Sequence, residues 1–134
     1  MSFESQLHEH MVRRIVQEVS GRFGHLYSFS ICADLIQFGR NKPVRVGGFT
    51  PDVYARDVPE TCRVIGEAKT PVDFESERSQ AQIAAFLRHL SAFPSSHFFL
   101  AVPWPYANRA RSRIEDLARL TRADAVSVEI LGGV

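Results

Sequence analysis

Residues 51–71 read PDVYARDVPETCRVIGEAKTP, and two strand-like runs inside this stretch decide the fold. The first covers residues 52–56 and the second residues 62–69. Side chains alternate along a strand, so Ile65, Glu67 and Lys69 point one way while Val64, Gly66 and Ala68 point the other. The second run is otherwise apolar enough to be a central strand. An uncompensated charge at its end would cost several kcal/mol, so the Glu67–Lys69 pair wants a reason. Asp52 opens the neighbouring strand just after Gly47, Gly48 and Pro51, and hairpin pairing brings its carboxylate towards that of Glu67.

Outward from this hairpin the periodicity is equally readable. Upstream, Phe3, Leu7, Met11, Val12, Ile15, Val16 and Val19 recur at three- and four-residue spacing, which predicts an amphipathic helix over 3–19 with Ser2 as N-cap and Gly21 and Gly24 as the stop. Residues 26–38 are rich in aromatic and β-branched types and precede the turn formers at 39–43, so they are expected to form a first strand and a hairpin loop. Downstream of Pro71, Ile83, Phe86, Leu87 and Leu90 share one face of a helix expected over 75–92. A strand over 97–102, a helix over 108–121 and a last strand through Val126, Val128 and Ile130 complete the chain. The expected order is α-β-β-β-α-β-α-β in a single α/β domain spanning 1–134. Early hairpins imply antiparallel pairs and the long helix a parallel crossover, so the sheet should be mixed and flanked by helices.

Composition narrows the classes. A chain of 134 residues, 45% hydrophobic, suits one globular domain with one active site. The net charge of +1 does not advertise a nucleic-acid binder, so any such case must come from the site itself. No apolar run reaches the roughly 18 residues of a membrane span, and the N-terminus lacks the order of a secretory signal. The expectation is a soluble, cytoplasmic protein without membrane partners. Cys32 and Cys62 have neither the spacing of a zinc site nor that of a disulfide scaffold and read as reduced, packed thiols.

Two carboxylates converging on one point make a hard oxygen site for Mg²⁺, which typically keeps several waters beside one or two protein carboxylates. The Ala68 carbonyl is a candidate third ligand, and Lys69 would face a metal-bound water. That set suffices for phosphodiester hydrolysis, in which a metal polarises the phosphoryl oxygen and acidifies water while a lysine steadies the developing charge.

Pro51-Asp52 followed by Glu67-Ala68-Lys69 resembles the PD-(D/E)XK nuclease superfamily, whose small members include resolvase-like enzymes. The resemblance covers roughly residues 3–102. It implies a restriction-endonuclease-like fold, Asp52 and Glu67 as ligands of Mg²⁺ or Mn²⁺, Lys69 beside the nucleophilic water, and DNA as substrate. It also implies a site role for Gln82, paired with Phe86 one helical turn on. The first-helix acid seen in resolvase-like members would be Glu4, with Glu18 as the alternative. A homodimer presenting two sites to two strands, as in those relatives, is a further expectation.

Plainer readings stand beside these. Pro-Asp is ordinary turn chemistry, and the plainer reading of Glu67 with Lys69 is a solvated strand-end pair. Gln82 on a helix flank reads as an exposed amide, and Glu4 as an acid favoured by the helix dipole. Asp73, Glu75 and Glu77 read as capping charges, and the five histidines show no metal-binding spacing. Arg40, Lys42 and Arg45, on the loop leading to Asp52, are the candidates for gripping a nucleic-acid backbone. The arginines between 109 and 122 read as a phosphate-binding cluster or as a solvated helix face. Trp104 reads as a base-stacking ring or a lid on the core. The alternative function is a catalytically inactive nuclease-fold module that binds nucleic acid or a partner protein.

Overall fold

The computed structural model describes residues 2–58 and 61–132, apart from the side chains of Glu4 and Val72. Helix α1 spans Phe3–Phe23, and its N-cap Ser2 accepts the Ser5 N–H at 3.1 Å. Strands β1 (Ser30–Ala33), β2 (Val53–Arg56) and β3 (Cys62–Ala68) follow, then the one-turn helix α2 (Pro71–Phe74) and the long helix α3 (Glu77–Leu90). Strand β4 (Ser95–Ala101), helix α4 (Ala107–Leu120) and strand β5 (Ser127–Leu131) complete the order, with short 3-10 turns at Ile36–Phe38 and Trp104–Tyr106.

The five strands lie in chain order in one mixed sheet. β1, β2 and β3 pair antiparallel through direct connections, whereas β3, β4 and β5 pair parallel because α3 and α4 carry the chain back between them. The sheet is thus mixed and flanked by helices. Alternation along β3 divides the core: Cys62, Val64 and Ala68 join Met11, Val12, Ile15 and Val19 of α1, while Ile65 joins Ile83, Phe86, Leu87 and Ile114 of α3 and α4. Gly66 marks the closest approach of α1. A Cβ there would lie 2.5 Å from Cγ2 of Ile15, so the helix can sit this near only because the side chain is absent.

Three boundaries differ from the expectation. β1 occupies four residues rather than the whole of 26–38. Its flanks Leu26, Phe29 and Phe38 pack on the α1 cluster from irregular backbone, so their apolar character reflects burial, not extension. α1 runs through Gly21 to Phe23. Thr70 and Pro71 begin a separate helical turn, with Pro at a position where its missing N–H is harmless, and α3 starts afresh at Ser76, whose side chain accepts the Ser79 N–H at 3.1 Å. Cys32 and Cys62 are free thiols, Cys62 buried. Among the described residues no helix is long and apolar enough to cross a membrane.

Candidate active site at the end of β2 and β3

The loop into β2 is turned by residues 46–49. Val46 and Phe49 exchange backbone hydrogen bonds of 2.6 and 3.0 Å around Gly47 and Gly48, whose φ angles of +59° and +87° suit glycine at both central positions of the turn. Pro51 and Asp52 then enter the sheet. Asp52 lies opposite Glu67, one step beyond the paired Val53 and Gly66.

The two carboxylates are laced together through the backbone. The Asp52 N–H donates to Oε1 of Glu67 at 2.9 Å, and the Ala68 N–H donates to Oδ2 of Asp52 at 2.8 Å. The Lys69 N–H turns the other way, to the Ala101 carbonyl at 3.0 Å. Since an extended residue directs its N–H and C=O to the same side, the Ala68 carbonyl also opens towards Asp52. Lys69 Nζ lies 3.3 Å from Oε2 of Glu67 and donates to Oε1 of Gln82 at 2.5 Å. The structure therefore brings Asp52, Glu67, Ala68, Lys69 and Gln82 into one connected group. Phe86, the aromatic one turn on, is fully buried and anchors the helix rather than touching the polar groups.

The electrostatics are asymmetric. Burial, reinforced by the adjacent Asp52 carboxylate, holds the Glu67 carboxyl well above its usual range, with Lys69 acting in the opposite sense. The Glu67 side chain is only 4% exposed, so the solvated strand-end reading does not hold for it. Asp52 is at the outer edge of the same cluster, and its Oδ2 takes both the Ala68 N–H and the approach of His8.

Sequence reasoning missed His8. Its Nε2 lies 3.3 Å from Oδ2 of Asp52, and that hydrogen bond raises the imidazole above its ordinary value against the opposing effect of burial. The available signal was helical: His8 stands three and four residues before Met11 and Val12, both fully buried, so it sits at the border of the packed face. It also stands one turn after Glu4, which lies in the first turn of α1 and whose side chain is outside the described residues. A cleft of about 270 Å³ lined by Ser2, Ser5, His8, Thr70 and Asp73 opens beside this histidine. Glu18 is not near the group; it pairs with Arg22 at 2.8 Å. A larger groove of about 430 Å³ between α3 and α4 lies away from all these residues and has none of their chemistry.

The basic candidates separate. Lys42 is engaged with Oδ1 of Asp34 and the Leu35 carbonyl, both at 3.3 Å. Arg45 donates to the Gly48 carbonyl at 2.7 Å and, like Arg40, is exposed. On α4, Arg109 pairs with Glu75 at 3.1 Å and Arg119 pairs with Asp116, which favours the solvated-face reading there. Trp104 is 73% exposed and does not close the core. Asp73 accepts the Thr70 hydroxyl at 3.2 Å in the turn before α3. No protein-family model matches this chain, and no curated protein matches it either.

Proposed function

We propose that the protein is a metal-dependent nuclease with a restriction-endonuclease-like fold, hydrolysing phosphodiester bonds in DNA. The observation that carries this reading is the juxtaposition of Asp52 and Glu67 on paired strand ends, with Lys69 held between Glu67 and Gln82. The donor set fits a hard divalent cation. Among the described residues no three His, Cys, Asp or Glu side chains form a metal-holding cluster, so an ion here would take Asp52, Glu67, the Ala68 carbonyl and waters, a set suited to Mg²⁺ or Mn²⁺ rather than Zn²⁺. Bound there, such an ion supplies Lewis-acid polarisation and a water of lowered pKa.

The chain's own groups divide the remaining work. Asp52 and Glu67 supply the negative pocket that a cation requires, and the two backbone N–H donors fix both carboxylates so that little reorganisation accompanies binding. Lys69, oriented by Gln82, would set a positive charge against the negative charge that develops on the phosphate oxygens, or beside an attacking water. His8, whose proton affinity Asp52 raises, flanks that carboxylate from α1 and, when protonated, would offer a second donor to a phosphate.

One observation favours the competing reading of a non-catalytic module: each carboxylate already has a basic neighbour, His8 for Asp52 and Lys69 for Glu67. Cleavage decides between them. Supercoiled plasmid, linear duplex and branched junctions are incubated with Mg²⁺, Mn²⁺ or chelator, and wild type is compared with Lys69→Ala. Cutting that needs metal and is lost in the variant is expected. Folded protein that cuts nothing and shows no calorimetric metal binding sensitive to Asp52→Ala would sink the catalytic assignment.

A further inference from the structure

One stripe of α3 faces the loop that delivers Asp52. It consists of residues 78, 82, 85, 86 and 89, the i, i+4, i+7, i+8, i+11 spacing of a single helix face. Four of its members are fixed from the sheet side. His89 Nε2 meets the Tyr54 hydroxyl at 2.8 Å, Phe86 packs edge-on against Phe49 at 6.5 Å between centroids, a Cβ on Gly47 would lie 2.8 Å from that of Ala85, and Gln82 holds Lys69. The fifth, Arg78, sets its guanidinium over the Phe49 ring, 5.4 Å from the centroid.

Arg78 is also at the functional end. Because β3 and β4 are parallel, α3 must run from the end of β3 back to the start of β4, so its first turn stands at the end that carries Glu67 and Lys69. With a rise of about 1.5 Å per residue, Arg78 lies roughly 6 Å beyond Gln82 along the helix axis, at the rim. Several other cations are engaged by carboxylates: Lys42 by Asp34, Arg13 by Glu9, Arg22 by Glu18 and Glu129, Arg109 by Glu75, and Arg119 by Asp116. Arg78 is exposed and pairs with no carboxylate among the described residues.

We propose that Arg78, together with Arg45 across the 46–49 turn, is a phosphate clamp for a nucleic-acid strand crossing the end of β2 and β3. Stacking uses the face of the guanidinium and leaves its in-plane N–H donors for the fork geometry that suits phosphate oxygens. Phe49, itself seated on Phe86, holds that fork in place before binding, which lowers the entropy lost on contact. Arg45 spends one of its five donors on the Gly48 carbonyl and keeps the others.

The proposal rests on the nuclease reading of the neighbouring carboxylates, and its test is arranged to fail separately from that reading. Binding of a fluorescein-labelled oligonucleotide, single- and double-stranded, is measured in chelator across a salt series for wild type, Arg78→Ala, Phe49→Leu and the control Arg111→Ala on α4. Expected for Arg78→Ala is a three- to tenfold weaker Kd and a salt dependence shallower by about one released ion, with Arg111→Ala unchanged. Phe49→Leu, which keeps the apolar seat but removes the ring, should weaken binding with the salt slope retained. Equal effects of Arg78→Ala and Arg111→Ala, or no oligonucleotide binding by wild type, overturn the clamp. Hydrolysis of bis(p-nitrophenyl) phosphate with Mn²⁺ by wild type, lost in Lys69→Ala, reports the carboxylate site alone and leaves the nuclease reading standing whichever way the oligonucleotide binding falls.

Discussion

Strands β2 and β3 end in carboxylates at both extremities, and the two ends hold them in opposite states. At the hairpin end, Asp57 takes the Cys62 N–H at 2.9 Å and the Thr61 hydroxyl at 2.8 Å; these donors, the Cys62 amide foremost, pull its carboxyl below the ordinary value. At the opposite end, Glu67 also accepts a backbone N–H at 2.9 Å, yet burial and the Asp52 carboxylate push it well up. Hydrogen bonding outweighs burial at Asp57, whereas burial outweighs the single backbone donor at Glu67. Among the described residues Asp57 has no second acid beside it, and its charge is satisfied by donors of its own turn. Glu67 has a like charge as its cross-strand neighbour, an arrangement that costs stability and that a divalent cation would relieve.

The largest expected effect comes from neutralising the strained end. Glu67→Gln should reduce metal-dependent hydrolysis on the order of 10²-fold or more, by loss of a ligand charge, while the melting temperature in chelator stays level or rises. A large fall in Tm would mean that Glu67 is a structural charge like Asp57, and the contrast between the ends would be lost.

The middle of the same strand supplies a purely mechanical counterpart. Gly66→Ala inserts a methyl 2.5 Å from Ile15 and 3.2 Å from Val53, and neither neighbour is the tip of a flexible chain. Urea denaturation should show a loss of about 1–3 kcal/mol, the usual cost of overpacking. Since α1 also carries His8, hydrolysis should fall modestly as the helix shifts; an unchanged stability would show that α1 is not seated as tightly as the geometry requires.

Asp57→Asn sharpens the comparison from the other side. Thermal melting should drop by a few degrees because the turn loses a charged acceptor for two donors, while hydrolysis per folded molecule remains that of wild type. Reduced turnover at full folding would place the hairpin end in the catalytic machinery and erase the division of labour.

The sequence carried the hairpin and the crossover helix because their signals are local: alternation in 62–68 and a helical stripe through Ile83, Phe86, Leu87 and Leu90. Asp52, Glu67 and Lys69 were legible for the same reason, since two adjacent strands fix their spacing. What stayed hidden depends on long-range contacts. His8 meets Asp52 only because Gly66 lets α1 lie close on the sheet. Arg78 drew no notice because its value comes from Phe49, on a loop that packs back over α3. The length of β1 is hidden because the aromatic residues at 26–38 serve burial from irregular backbone. Thr70 and Pro71 are a cap and first-turn pair by residue type, but so short a helix is masked by the stronger period of Ile83, Phe86, Leu87 and Leu90 behind it.

The smallest effect is the one that carries the sign of each end. Asp57 has its folded pKa depressed below 3.8, so its contribution is fully present above that ordinary value and is lost as pH falls through the folded one. Wild type and Asp57→Asn should accordingly differ at neutral pH and converge in acid. Glu67 is raised above 4.5, so wild type is favoured below that value, where the group is protonated in both states, and loses stability as pH rises through the raised one. Glu67→Gln should match wild type near pH 4 and exceed it increasingly above. His8 adds a decline of the same direction above 6.5, because its folded form holds the proton more tightly through Asp52; its part is small, since the imidazole is 41% exposed and solvent screens the pair. Urea midpoints measured in chelator from pH 3 to 9 test all three slopes. Difference curves that bend the same way for Asp57→Asn and Glu67→Gln would show that the two ends do not hold their charges by different means.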